Sequence, residues 1–513
     1  MGYVFWAIVS MIIYTIILSV IGWVATKNTK SVEDYLVAGK SLNIWLLTFG
    51  LMAAILSGGA VMGYSGTGFG AGYAGYVMLV SCAFPGIVIS YWILAKPMRI
   101  VAEKHAVYTL PDFLALRYNN NKGVRGLSAF AILIGCLAYL IAQFAAMGWV
   151  LSSILNISYT TSIFISAVLL SLYTIGGGMK ASMWTNFFQM IMLVIIGVLL
   201  NILILPEVGG LSGLHGTLVE TAPSFLLPWH DSGSFAMAIV LQYGLIVGLL
   251  AYAGVPHVST KFLTVKSIKV LKWAPLVSVI LYFLGVLSQW PGMAGKVLVD
   301  QGVLTAPEAA DQILPHLIYN FFNSPILAGI FLVAVAAAVM STAESFLILS
   351  SAAIVRDFSK NTLGKAMTEK VELKWIRICS VFVLIVGCLL SLNPPGFILL
   401  VVSVAWGAFA AMFAPALYLG IRWRRATPQG AIAGLLTGIA VGGIIGILNL
   451  TVFSSDPLLA GFNVAAVGTV LSTIMLVVVS LLTKPVDSPI FDHFTNKSSY
   501  TVNNDRTPNI PGN

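Results

Sequence analysis

The sequence predicts an all-α polytopic membrane protein with thirteen membrane-spanning helices, and three observations predict it. The 513 residues are 58% hydrophobic and only 9% charged, whereas soluble domains carry about a quarter charged residues. Apolar runs of about 20 residues, the length a helix needs to cross roughly 30 Å of hydrocarbon, recur along nearly the whole chain. The basic residues fall in alternate loops, as cytoplasmic loops demand. No room is left for a sizeable soluble domain.

In order, the spans lie near 3–25, 44–69, 75–95, 126–154, 160–176, 182–205, 234–254, 271–293, 324–354, 374–393, 396–420, 430–450 and 462–483. Each is an apolar run closed by polar or Gly/Pro punctuation. The first, MGYVFWAIVSMIIYTIILSVIGWVA, has no cationic leader before it and no small-residue cleavage pattern after it, so it reads as a retained helix rather than a signal peptide. The four cysteines, Cys82, Cys136, Cys379 and Cys388, sit inside apolar runs without metal or disulfide spacing and read as packing residues.

An odd number of spans puts the termini on opposite sides. With the N-terminus outside, the inside segments hold every Lys and Arg except Lys296. The net charge of +9 is therefore a matter of topology; a nucleic-acid partner would need clustered cations on one face. The reading is one transmembrane domain over 1–483, followed by a polar, proline-containing cytoplasmic tail over 484–513 that is expected to be disordered. The chain is expected to sit in the cell inner (plasma) membrane and to function as a monomer.

Of the 18 acidic residues, Glu344 alone lies well inside a span. A carboxylate at mid-membrane costs roughly 2.5–3.5 kcal/mol on insertion scales, and no Lys or Arg is expected deep in any span to offset it. Its partner is then a proton, water, a polar side chain or a transported cation. Two readings stand: a protonated Glu bonded between helices, or a carboxylate lining an ion or solute path. Beside it, Ala338, Ser341, Thr342 and Ser345 form one small, oxygen-bearing helical stripe.

A hard cation needs several oxygen ligands, and a regular helix offers few because its carbonyls are already bonded. Unwound segments in matching places of two halves supply them. Two segments qualify: AAILSGGAVMGYSGTGFGAG (53–72) in the second span and QYGLIVGLLAYAGVPH (242–257) in the seventh. Their separation of five spans suits two five-helix repeats of opposite orientation, about 44–205 and 234–420, preceded by one helix and followed by two. This pattern favours a transporter over other membrane proteins.

Six stretches then carry a family likeness: DYLVAGKSLNIW (34–45), YTLPDFLALRY (108–118), LYTIGGGMKASMWTNFFQ (172–189), GVPHVSTKF (254–262), AAAVMSTAESFLILSSAAIVRDF (336–358) and AWGAFAAMFAPALYLGIRWRRATPQGAIAG (405–434). In this order they resemble the sodium:solute symporter family. The resemblance implies the leucine-transporter type of fold, an inverted five-plus-five repeat, and alternating access driven by a sodium gradient. It implies a main sodium site on the backbone carbonyls of Ala53, Leu56 and Ala338 and the hydroxyls of Ser341 and Thr342, with Na+ as the coupling ion.

Two departures bear on Glu344. Members with a second sodium site have an Asp where this chain has Asn186, and often a Ser in place of Glu344, so Asn186, Glu344 and Ser345 form a candidate second cation or proton site. The same correspondence names Ser57, Gly58, Gln143, Gly248, Tyr252 and Trp406 as lining the solute site. Gln143, Tyr252 and Trp406 also have the plainer reading of interhelical bonding or packing. The GVPH stretch is similar to the branch carrying amino acids, monocarboxylates and pantothenate, and 142–157 to the pantothenate permeases. Gly248 replaces an aromatic residue of proline carriers, which implies a pocket open to a different small carboxylate. His257 reads as structural, at a span end.

The expected function is thus sodium-coupled symport of a small organic solute across the lipid bilayer. The rivals are a proton-coupled symporter using Glu344 and a solute sensor that does not transport. The six histidines sit in loops, in the tail or at span ends, so no intramembrane catalytic constellation is expected, and no filter repeat suggests a channel.

Overall fold

A computed structural model describes residues 2–227, 252–321, 324–393, 398–451, 457–486, 488 and 490–495. The described residues are almost entirely helical, with one isolated bridge between Leu42 and Val265. They include nine helices long and apolar enough to cross a membrane, and one bent pair that passes the same test. Most of the predicted seventh span, with Gly248, lies outside the described residues.

The helix Pro325–Ala352 is the centre of the molecule. Its span is 83% buried, against 17% for the first helix Gly2–Lys27. That difference explains their sequences: Gly2–Lys27 turns Phe5, Ile12, Ile16 and Trp23 outward, as a helix facing lipid should, while Pro325–Ala352 can hold hydroxyls and a carboxylate because every residue from Phe331 onward is buried in protein. Ser324 caps it, accepting from Leu327 N–H, and Pro325 follows at the first position, where no amide partner is required.

The second predicted span is broken. Asn43 caps the helix Ile44–Ile55, which stops at Leu56 (φ −76°, ψ 64°). Ser57 then caps a second helix, Gly58–Ala71, by accepting from Ala60 N–H at 3.1 Å. The two halves meet at 53°. The sequence encodes the break through Ser-Gly-Gly: a residue that starts helices, then two with no side chain to stiffen the joint.

The predicted spans 160–176 and 182–205 fall on the two helical runs of the 46-residue stretch Tyr159–Ile204, which meet at a non-helical Gly178 (φ 56°, ψ −145°). At about 1.5 Å per residue such a helix is roughly twice the hydrocarbon thickness, long enough for two crossings. Gly178 makes the bend because its φ is in the left-handed region and Tyr35 packs where a Cβ would stand.

At the end of the molecule that carries Asp112, Arg356 and Glu372, a buried ion network ties four segments. Arg356 donates to Asp112 (3.0 Å) and Glu372 (2.8 Å), Lys360 also pairs with Glu372, and Arg125 approaches Asp112 at 3.8 Å. Thr109 Oγ1 donates to Asp357 at 2.7 Å. The tail differs from the expectation of disorder in one place. Phe491–Thr495 is a helical turn whose Phe494 packs on Phe113, while Asp492 meets Arg424 at 3.3 Å. Ile490, Phe491 and Phe494, all buried, supply the apolar surface that docks this short turn.

Candidate functional site

The break in the second span frees backbone oxygens at the centre of the fold. Ser57 N–H turns to Ile55 O (2.8 Å) instead of continuing the i−4 ladder, so Ala53 O is left without its helical donor. Ser341 supplies one: its hydroxyl lies 2.9 Å from both Ala53 O and Ala338 O. Thr342 Oγ1 donates to Ala54 O at 3.0 Å. All these residues are buried, Ser341 and Thr342 completely. Four of the five expected sodium ligands therefore converge. Ala54 joins them, and Leu56 differs from the expectation: its carbonyl is not among the oxygens that the two hydroxyls reach.

Such a set can hold a dehydrated alkali ion. Each hydroxyl has one donor and two acceptor lone pairs, so it can bond a carbonyl in the absence of an ion and turn a lone pair to the ion in its presence. No carboxylate is needed.

Gly58 decides how closely the broken span approaches Pro325–Ala352. A Cβ there would lie 2.8 Å from Val339 Cα, closer than real contacts allow, so Gly58→Ala must push the broken span off the central helix. We expect it to cost about 1–3 kcal/mol in stability, as other overpacking changes do, and to weaken sodium-driven uptake several-fold; thermal unfolding and transport assays on the same preparation check both.

The solute residues divide. Ser57 Oγ and Tyr139 OH are 3.1 Å apart, Trp406 Nε1 donates to Tyr139 OH at 3.0 Å, and the Trp406 and Tyr252 rings meet edge-on at 4.8 Å. Ser57, Gly58, Tyr252 and Trp406 thus share one locality beside the sodium candidates. Gln143 lies one turn beyond Tyr139 on the same helix face, fully buried, with no protein partner for either amide atom. A plain interhelical bond is not its role in this conformation.

Two residues of this cluster were missed in the sequence. Tyr139 is its hydrogen-bonding hub. His257, expected at a span end with a structural role, is buried against the rings of Phe346 (4.7 Å), Trp406 (5.9 Å) and Tyr139 (6.2 Å), with both ring nitrogens unpartnered.

Around Glu344 the expected triad does not assemble. The carboxylate, fully buried, accepts from Thr185 Oγ1, 3.1 Å from each oxygen. Asn186 Nδ2 faces Gly50 O (3.5 Å) and Ser182 Oγ (3.4 Å), and Ser345 Oγ donates to Ser341 O at 3.3 Å. Lys261, counted from the sequence among the loop lysines, is fully buried and donates to Gly50 O at 2.9 Å, the carbonyl that Asn186 Nδ2 also faces. Its four-carbon stem reaches inward from a short helical segment, Thr260–Thr264, beside the spans.

This arrangement, a broken span facing hydroxyls on a central helix, is that of a secondary transporter. The fold agrees with solved transporters. A substrate-bound, outward-open Na+-coupled sialic acid symporter matches with a TM-score of 0.76 at 18% identity, over 94% of this chain and 99% of that one. MhsT in complex with L-phenylalanine matches with a TM-score of 0.50 at 16% identity, over 82% and 98%.

The chain belongs to the sodium:solute symporter family, whose model matches residues 35–438. Among curated relatives, the osmoregulated proline transporter OpuE of Bacillus subtilis (strain 168) is 28% identical over 487 residues, 93% of this chain and 95% of that protein. The sodium/proline symporter of Escherichia coli (strain K12) is 28% identical over 509 residues, 96% of each. The chain is therefore a multi-pass membrane transporter coupled to sodium, and not an enzyme.

Proposed function

We propose that this protein imports a small carboxylate-bearing solute, a proline-sized amino acid foremost, with sodium across the plasma membrane by alternating access. The observation that carries this reading is the break at Leu56–Ser57. One side of it presents the Ala53 and Ala54 carbonyls to Ser341 and Thr342; the other opens the amide end of the Gly58–Ala71 helix next to Tyr139 and Trp406. A half-helix N-terminus favours a carboxylate. Carbonyls and hydroxyls favour the cation, so one broken span serves both.

The main sodium site is Ala53, Ala54, Ala338, Ser341 and Thr342, with Leu56 at the break behind them. The solute site is Ser57, Gly58, Tyr139, Gln143, Tyr252, His257 and Trp406, with Gly248 from the segment before Tyr252. The unpartnered Gln143 amide and His257 ring support a polar ligand, because each buried polar group left unbonded costs about 1–3 kcal/mol. The architecture is thirteen crossings over 1–483, with repeats about 44–205 and 234–420, a monomer in the bilayer, N-terminus outside and C-terminus cytoplasmic. The Gly178 bend supports counting Tyr159–Ile204 as two crossings.

The proline transporters among the relatives make proline the first solute to try, while Gly248 favours other carboxylates. In proteoliposomes with an inward sodium gradient, labelled proline is expected to accumulate and to be displaced by excess unlabelled proline. Pantothenate and a simple monocarboxylate serve as comparators. Accumulation of none of the three, or equal accumulation when potassium replaces sodium, refutes the reading.

A further inference from the structure

The isolated bridge between Leu42 and Val265 joins two distant parts of the chain. Leu42 N–H donates to Thr264 O at 3.1 Å, and Lys266 N–H donates to Leu42 O at 3.0 Å. Leu42 stands just before the Ile44–Ile55 half of the broken span, and Val265 closes the stretch that begins at Tyr252. Lys261 makes a second tie between the same two parts: its buried ammonium donates to Gly50 O at 2.9 Å, one helical turn before Ala54. A helix held at two points along its length keeps no freedom of tilt or height. The Ala53 and Ala54 carbonyls are therefore placed by the same stretch that brings Tyr252 and His257 to the aromatic cluster.

Neighbouring contacts extend this unit. Arg99 Nη2 donates to Lys266 O at 2.9 Å and Lys40 Nζ to Ala102 O at 2.6 Å, so the helix Lys96–Lys104 is tied to both sides of the bridge. The Tyr91 and Phe262 rings are 5.0 Å apart, and the Tyr91 and Ser278 hydroxyls 2.9 Å. Ser341 and Thr342 belong to a second unit, because their helix packs on Lys122–Leu155 through Phe346 and Tyr139, whose rings are 4.5 Å apart. The sodium candidates are divided between the two units, carbonyls of Ala53 and Ala54 on one and hydroxyls on the other. An ammonium is a costly group to bury beside one neutral carbonyl, and a methionine would fill its volume. Fixing the half-helix accounts for that cost.

We propose that Lys261 is a positioning residue for sodium-coupled transport: its bond to Gly50 O, with the Leu42–Val265 bridge, makes the ion-binding half-helix and the chain 252–266 one moving body. The Ala53 and Ala54 carbonyls then leave Ser341 and Thr342 only when Tyr252 and His257 leave with them, so ion and solute are released by one motion. This deepens the proposed sodium and solute sites and rests on them.

Two measurements test it, both referred to the sodium-dependent rise in melting temperature of the parent. Lys261→Met keeps the stem and removes the donor. The half-saturating sodium concentration is expected to rise about tenfold or more, as loss of one charge-assisted bond implies, while Lys261→Arg stays within a few-fold. A lysine that merely braces the fold would lower the sodium-free melting temperature and leave the half-saturating concentration unchanged; that result overturns the proposal. The second measurement uses Leu42→Cys/Val265→Cys in a chain whose four native cysteines are replaced by alanine. Residues opposed across a bridge lie about 4.7–4.9 Å apart, inside the roughly 4.4–6.8 Å that a disulfide spans. The oxidised chain is expected to take up labelled proline, pantothenate or monocarboxylate, whichever the parent accumulates, at the rate of the reduced chain. Arrest on oxidation, reversed by a reductant, would mean that the two segments must part, and it overturns the proposal. Should Lys261→Met fail to fold, the cross-linked chain decides alone. A parent that sodium does not stabilise, or that accumulates none of the three solutes, would instead defeat the sodium-coupled reading beneath it.

Discussion

Replacing Ser341 and Thr342 together by alanine is expected to abolish sodium-driven uptake at ordinary sodium concentrations. Both hydroxyls converge on freed carbonyls of the broken span, and a bond to a charged group is worth about 1.5–3 kcal/mol. Losing two ligands therefore costs roughly 3–6 kcal/mol of ion binding, or about 10²–10⁴-fold in sodium affinity at about 1.4 kcal/mol per tenfold. The half-saturating sodium concentration of uptake, and the sodium-dependent rise in thermal stability, read this directly.

The same substitutions leave Ala53 O and Ala54 O buried without donors, which lowers stability on its own. Two comparisons separate the effects. Thr342→Ser keeps the ligand and is expected to stay within a few-fold of the parent, whereas Thr342→Val keeps the volume and loses the ligand. If the double alanine variant were sodium-stabilised like the parent, the ion would lie elsewhere.

Much of this site was legible in the sequence for a plain physical reason. A helix must be interrupted to free its carbonyls, and Ser57-Gly58-Gly59 spells the interruption; Ser341 and Thr342 are hydroxyls at neighbouring positions inside an apolar helix, where lipid contact is excluded. What could not be read was depth measured perpendicular to the chain. Lys261 follows a helix end, so its backbone position suggested a loop, yet its side chain passes between helices to Gly50 O. His257 and Tyr139 were hidden in the same way: one followed a proline at a span end, the other looked like ordinary aromatic packing.

The fold shows the same division. Twelve of the thirteen predicted runs have a described helix over much of their length, because hydropathy records a solvent that permits little else. The break at Gly178 falls between the predicted spans 160–176 and 182–205, where Gly-Gly-Gly-Met-Lys punctuates the apolar run. The docking of Phe491 and Phe494 depends on Phe113, Arg117 and Arg424, residues far away in the chain that no local pattern connects.

The second large effect is expected far from the ion. Arg356 is the hub of a network whose members are nearly dry: its own side chain is 10% exposed, Asp112 6% and Glu372 1%. Arg356→Met keeps the stem's packing and removes the charge, leaving two buried carboxylates short of a partner. Breaking a buried pair from one side costs about 3–5 kcal/mol. Lys360 still reaches Glu372 and Arg125 still approaches Asp112, which places the loss near about 3 kcal/mol. Lys360 is more exposed, at 30%, and for exposed pairs the value falls to about 1 kcal/mol or less. Lys360→Met should therefore be mild. Denaturant unfolding in detergent, followed by tryptophan fluorescence, should show Arg356→Met strongly destabilised, and Arg356→Met/Asp112→Asn/Glu372→Gln partly restored because no buried charge is then left alone. A triple variant no more stable than the single one would mean that Arg356 acts through its packing on Tyr108, where its guanidinium lies 4.4 Å from the ring, rather than through charge.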